Sequence, residues 1–192
     1  MSGQGFHAHG PHDHEIEHVA QHGSSDPSAG TIAVATAIIA TVGALFSYMG
    51  GLTQANAGLY KNDAAISKTS ASNQWNYYQA KSGKQNLSEL AIVLAPEDRR
   101  AAYKDEVERY KKEKAEIKLA AEKLEQDSTN WDKKSESELH LHHRWAQATT
   151  ALQISIALAA MALLTKKRWL QWGMYGVATL GLALGALAAA HI

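Results

Sequence analysis

Six histidines fall close to the start of the chain, His7, His9, His12, His14, His18 and His22, with Asp13, Glu15 and Glu17 among them. Imidazole nitrogen and carboxylate oxygen are donors suited to Zn, Ni or Cu. His14-Glu15-Ile16-Glu17-His18 satisfies the H-E-x-x-H pattern literally, which on a helix sets both histidines on one face with a glutamate base between them. A metalloprotease also needs that helix in a cleft, with a third fixed ligand and water excluded. This segment lies instead in a stretch punctuated by glycines, Pro11 and Pro27. The readings left are a solvated tail, weak metal binding or a pH-responsive tail. His140, His142 and His143 stand just ahead of an apolar run. They act there either as polar filler beside lipid headgroups or, where several subunits converge, as a ring of metal-binding or proton-sensitive groups. Phosphate-cradling glycine loops, a nucleophile elbow and paired carboxylates within an apolar run are all missing from the sequence. Cysteine is absent too, which removes thiolate ligands, a thiol nucleophile and disulfides together. A non-enzymatic protein is expected, with no cofactor beyond weak Zn, Ni or Cu binding.

The elements that carry these residues follow from where the apolar side chains lie. Lys+Arg and Asp+Glu balance at 19 each, so no net field argues for a nucleic-acid partner. The apolar residues are gathered into two blocks rather than spread periodically along the chain. Between Asp26 and Lys61 no Asp, Glu, Lys, Arg or His occurs, and Thr31 to Leu52 supplies the ~20 apolar positions that a bilayer core of about 30 Å requires. A signal peptide is the competing reading, but no Lys or Arg precedes Lys61 to form its charged leading region. Two further charge-free runs, from Ala146 to Thr165 and from Leu170 to Ala190, are separated by Lys166-Lys167-Arg168-Trp169. Burying that basic triplet would cost about 2.5–3.5 kcal/mol per charge, so it marks a membrane surface and makes the two runs a tight hairpin. Trp145, Trp169 and Trp172 stand at run ends, as interfacial anchors do.

Small residues recur along the first run at Ala33, Ala37, Ala40, Ala44, Ser47 and Gly51, alternately four and three apart, and the third run repeats the device at Gly181, Gly185 and Ala189. Such faces let helix backbones approach closely, either between copies of the chain or within one subunit. Gln153 and Ser155 are the notable polar groups of the second run. Interhelical hydrogen bonding is the expected role, with a pore lining as the alternative.

Between the first two runs the chain is polar and nearly free of turn residues except around Leu94-Ala95-Pro96-Glu97. Two helices of about 45 residues, each about 68 Å long, would run out from the membrane and back. On the returning side Tyr103, Tyr110, Ile117, Leu124, Trp131, Glu138 and Trp145 fall seven apart, with Val107, Lys114 and Ala121 in the complementary positions. The outgoing side offers Leu52, Leu59, Ile66, Asn73, Ala80 and Leu87 in the same spacing, with Ala55, Asn62, Thr69 and Asn76 as partners. Stripes this narrow predict an antiparallel coiled coil. Trp75 and Tyr78 then project away from the outgoing stripe, either as a contact for a neighbouring subunit or another membrane protein or as a local cluster against the tip or the sign of a different register. Glu113, Lys114, Glu116, Lys118, Glu122 and Lys123 read as a solvated, ion-paired face.

The expected organisation is therefore all-α: a disordered His-rich tail over 1–28, transmembrane helices over 29–52, 146–165 and 169–191, and an extramembrane coiled-coil hairpin over 53–145 turning near 94–98. Residues Asn62-Asp63-Ala64, Ala71-Ser72-Asn73-Gln74-Trp75-Asn76-Tyr77-Tyr78-Gln79-Ala80-Lys81-Ser82, Lys84, Gln153 and Leu163-Leu164-Thr165-Lys166-Lys167 resemble the bacterial membrane family called domain of unknown function 4337. The likeness runs from about position 30 to 190 and implies a three-span inner-membrane protein of Gram-negative bacteria. It brings no activity or catalytic residue. The sequence differs from that pattern in lacking basic residues ahead of the first span. The short Lys166 to Arg168 loop favours a cytoplasmic tail and a periplasmic arm. The function expected is a structural or scaffolding homo-oligomer in a lipid bilayer. The alternatives are a metal-binding or pH-responsive membrane protein and, more weakly, a channel.

Overall fold

The protein is described by a computed structural model over residues 27–191. Three α-helices account for nearly all of it: α1 (Pro27–Leu94), α2 (Glu97–Thr165) and α3 (Arg168–Ala189). Each holds a stretch long and apolar enough to cross a membrane. Pro27 opens α1, where a missing N–H is harmless and the fixed φ already suits a helix. No break separates the apolar part of α1 from its polar part, and α2 likewise runs unbroken from its polar half into its apolar half. At about 1.5 Å per residue both helices are roughly 100 Å long.

Pro96 ends the first rod because its ring bars the residue before it from helical geometry. Ala95 N–H still bonds back to the Ala91 carbonyl at 2.8 Å, and Arg100 Nε donates to the Ala95 carbonyl at 3.0 Å, so the end of α1 is closed from both sides. Pro96 itself (φ −57°, ψ 154°) caps α2, and Glu97 and Asp98 follow in its first turn, where negative charge meets the positive end of the helix dipole. At the other end Lys166 adopts a left-handed conformation (φ 54°) and its N–H reaches the Ala162 carbonyl. This one residue and Lys167 reverse the chain into α3.

α1 and α2 lie against each other in reverse order. Ser88 Oγ donates to Glu106 Oε2 near the chain reversal, Ser128 Oγ to the Ala64 carbonyl further down, and His142 Nδ1 meets the Gly50 carbonyl further still. α3 packs mainly on the apolar half of α2. Ile32, Ala159, Ala162, Leu170 and Met174 form one buried cluster of three helices, and Ile39, Leu152 and Ala178 form the next.

Candidate functional site

In the polar half the two helices meet through different residues on each side. α2 turns Val107, Ile117, Ala121, Ser128 and Ser135 fully inward, with Tyr103, Tyr110, Leu124 and Trp131 half-buried beside them. α1 answers with Thr53, Ala57, Ala64, Ala71 and Ser88, all buried, and with Tyr60, Gln74, Tyr78, Lys81 and Gln85 half-buried. These also recur every seven residues, but displaced from the expected stripe by one residue in one row and two in the other, and so on the opposite side of the helix. Leu52, Leu59, Ile66, Asn73, Ala80 and Leu87, and likewise Ala55, Asn62, Thr69 and Asn76, are exposed. The reason is steric: alanine and serine at the contact let the backbones approach so closely that Ser128 and Ser135 hydroxyls reach the Ala64 and Ala57 carbonyls at 2.9 and 2.8 Å. Leucine at those positions would push the helices apart.

This displacement also changes the placement of Trp75 and Tyr78. Both are half-buried between the helices rather than projecting outward. Trp75 Nε1 donates to Glu125 Oε1 at 3.1 Å, its ring meets Tyr78 edge-on at 5.7 Å, and Lys114 Nζ sits 4.9 Å from the Tyr78 centroid. Lys114 also donates to Gln85 Oε1. Lys81 Nζ lies 2.5 Å from Glu113 Oε2 and within 5.5 Å of the Tyr77 and Tyr110 ring centroids. Pairing with Glu113 raises the Lys81 pKa, and the same pairing holds the Glu113 carboxyl below the usual carboxylate range. Nearer the apolar half, Lys61 pairs with Asp132 at 2.7 Å. The polar rod is thus a ladder of aromatic, cationic and hydroxyl contacts.

In the apolar half the small-residue faces are used differently. Gly181 and Gly185, whose spacing suits a contact either between copies or within one subunit, are covered inside the chain. A methyl group at Gly181 would sit 2.7 Å from Leu152 Cδ2 and 3.2 Å from Ala151 Cβ, and one at Gly185 would run into the Phe46 ring. These glycines let α3 close on α2 and on Phe46 of α1. Ala33, Ala37, Ala40, Ala44, Ser47 and Gly51 remain exposed. Ser155 is fully buried and donates to the Met174 carbonyl at 2.9 Å, joining α2 to α3, whereas Gln153 is exposed. Trp145 is buried against Phe46, with centroids 5.2 Å apart, while Trp169 and Trp172 are open.

His142, half-buried, has its Nδ1 2.8 Å from the Gly50 carbonyl, and a methyl group at Gly50 would press on Trp145 Cβ at 3.3 Å. His140 and His143 are exposed and line an open groove of about 370 Å³ with Arg144, Gln147, Leu184 and Leu187. A fixed cation in that groove opposes a divalent metal. Among the described residues no three His, Asp or Glu side chains converge as a ligand set. His7, His9, His12, His14, His18 and His22 lie outside the described residues.

The sequence matches the family described as Domain of unknown function (DUF4337) over residues 28–191, which spans all three helices. The chain belongs to the DUF4337 family. Comparison with curated proteins and with solved structures finds no match. The DUF4337 match covers the paired polar rod as well as the apolar segments, so family membership extends to both halves of the molecule.

Proposed function

We propose that the protein is an integral membrane protein of the bacterial inner membrane that self-associates into a structural scaffold rather than catalysing a reaction. In this reading α1, α2 and α3 cross the bilayer over 29–52, 146–165 and 169–191, and residues 53–145 stand out from it as an antiparallel coiled-coil hairpin. The observation that carries the reading is the contrast between two small-residue faces. Gly181 and Gly185 are consumed in packing the subunit, whereas Ala33, Ala37, Ala40 and Ala44 remain on an open helix face. In lipid, helix association relies on close van der Waals approach rather than the hydrophobic effect, and an uncovered small-residue face offers that approach to another helix. The exposed, stiff arm supports a scaffold: two rods closed by ion pairs, rings and hydroxyl bonds hold a fixed distance from the membrane surface.

The particle mass of the full-length chain in mild detergent, corrected for bound detergent, tests this directly. A discrete multiple of the 20.8 kDa subunit is expected. A monomer over a range of gentle detergents and native lipids would defeat self-association.

A further inference from the structure

α1 carries a second seven-residue repeat, on the side turned away from α2. Leu52, Leu59, Ile66, Asn73, Ala80 and Leu87 form its larger row, and Ala55, Asn62, Thr69, Asn76, Gly83 and Leu90 form the row beside it. All twelve are exposed, with Leu59 at 63%, Ile66 at 56% and Leu87 at 68%. The pattern continues without slip into the apolar half through Leu45 and Ile38, also exposed. Every charged side chain of α1, namely Lys61, Asp63, Lys68, Lys81, Lys84 and Glu89, falls outside these two rows. A helix face meant for water normally carries the charge and loses the leucines. The outward face of α2 does so, with Asp105, Glu108, Lys112 and Glu116 exposed there. α1 has the reverse arrangement on its outer side.

From these observations we infer that the outer face of α1 is the dimer seam, covered by α1 of a second copy lying parallel and in register. This rests on the self-association proposed above and names a second surface for it, one residue off the face of Ala33, Ala37, Ala40 and Ala44. Three features select that occupant. The stripe runs about 85 Å from Ile38 to Leu94 at about 1.5 Å per residue, crossing from the apolar into the polar half without a change of register. Its partner must therefore be one helix with the same two halves in the same order, and α1 of another copy is such a helix. The absence of charge fits a pairing in which each residue faces its own counterpart, because any Lys or Asp there would meet a like charge. Asn62, Asn73 and Asn76 suit the same symmetry: an amide both donates and accepts, so it can bond to itself across a two-fold axis, and one such residue in an apolar seam fixes register. The outward face of α2 is excluded as the partner, since a charge-free stripe laid on it would strip water from several carboxylates and ammonium groups without replacing their bonds. In the assembly each α1 lies inside, between its own α2 and the neighbour's α1, and the charged faces of α2 lie outside.

The chain has no cysteine, so single-cysteine variants of the full-length protein in its membrane report contact directly. Leu59→Cys and Ile66→Cys test the seam, and Lys68→Cys on the flank and Leu119→Cys on the outer face of α2, 68% exposed, are the comparisons. Under mild oxidation the two seam variants should form covalent dimers about tenfold faster than the comparisons, because only there do Cβ atoms of two copies come within disulfide reach. Equal rates at all four positions, or none at Leu59→Cys and Ile66→Cys, would overturn the seam. The mass measurement separates the two levels: a multimer without seam cross-links removes this interface and leaves self-association standing, while a monomer without cross-links removes both. Ile66→Glu gives an independent reading, since it brings two carboxylates together. It should reduce the particle to a monomer with its helical circular dichroism intact, and an unchanged mass would count against the seam.

Discussion

Lys81 of α1 points at α2, and it is held there by its surroundings. Its ammonium touches Glu113 and lies over two tyrosine rings, so its long stem fills the seam while its charge is paired. The pairing makes stability depend on pH with a definite sign. The Glu113 pKa is lowered by Lys81, so its contribution is fully present above the usual glutamate range and is lost as pH falls through the lowered value. The Lys81 pKa is raised by Glu113, so its contribution is present below the usual lysine range and is lost as pH rises through the raised value. Between those limits both charges are in place. Thermal unfolding of the full chain in detergent, followed by circular dichroism, should therefore show the native protein above Glu113→Gln at neutral pH. The gap between their midpoints should close on acidification below the usual glutamate range. A gap that stays constant into acid would mean that the carboxylate charge contributes nothing there.

At the scale of the element, α1 has two repeating faces, and the quieter one holds the subunit together. Ala57, Ala64 and Ala71 are buried against α2 at 6%, 4% and 1% exposure, whereas Leu59 and Ile66, two residues beyond Ala57 and Ala64, are open. The all-helical fold was legible from the scarcity of turn residues, and the inward face of α2 from Tyr103, Tyr110, Ile117 and Trp131 at seven-residue spacing. The inward face of α1 was not. Hydrophobic periodicity reports the strongest apolar stripe on a helix, and on α1 that stripe is not the one facing α2. The signal that would have found the contact is the run of alanines at 57, 64 and 71 opposite Ser128 and Ser135, a close-approach pattern carried by size rather than hydrophobicity. The same displacement turned Trp75 and Tyr78 from supposed partner contacts into internal ones, and the glycines of α3 could not be assigned because closeness within a chain and between chains demands the same residue. Ala71→Leu should destabilise the paired arms by about 1–3 kcal/mol through overpacking, whereas Ala115→Leu, exposed on α2, should stay within about 0.5 kcal/mol. Denaturant melts of helical signal compare them. Equal effects at the two sites would mean that the alanine contact is not close-packed.

For the whole molecule, the three proposed crossings would place the Lys166 to Arg168 turn on one side of the bilayer and the paired arms on the other, together with the C-terminal end of α3. Long polar segments translocate largely regardless of their charge, so orientation is set by short basic segments beside the spans. The turn between α2 and α3 concentrates three cations into consecutive positions, directly against two membrane segments. Lys61, Lys133, Lys134 and Arg144 on the arm side oppose it, but Lys61 is paired with Asp132, Lys133 and Lys134 lie farther from the spans, and Arg144 is a single cation against the three of the turn. The turn should therefore stay in the cytoplasm and the arms enter the periplasm. An alkaline phosphatase fused at Pro96, active only outside the cytoplasm, should be active, and one fused after Lys167 should be silent. A fusion at His191 should follow Pro96, which checks the number of crossings independently of their direction. Activity at Lys167 with silence at both other points would invert the molecule and leave its architecture intact. Opposite results at Pro96 and His191 would remove a crossing, and α2 and α3 would then no longer form a hairpin through the bilayer.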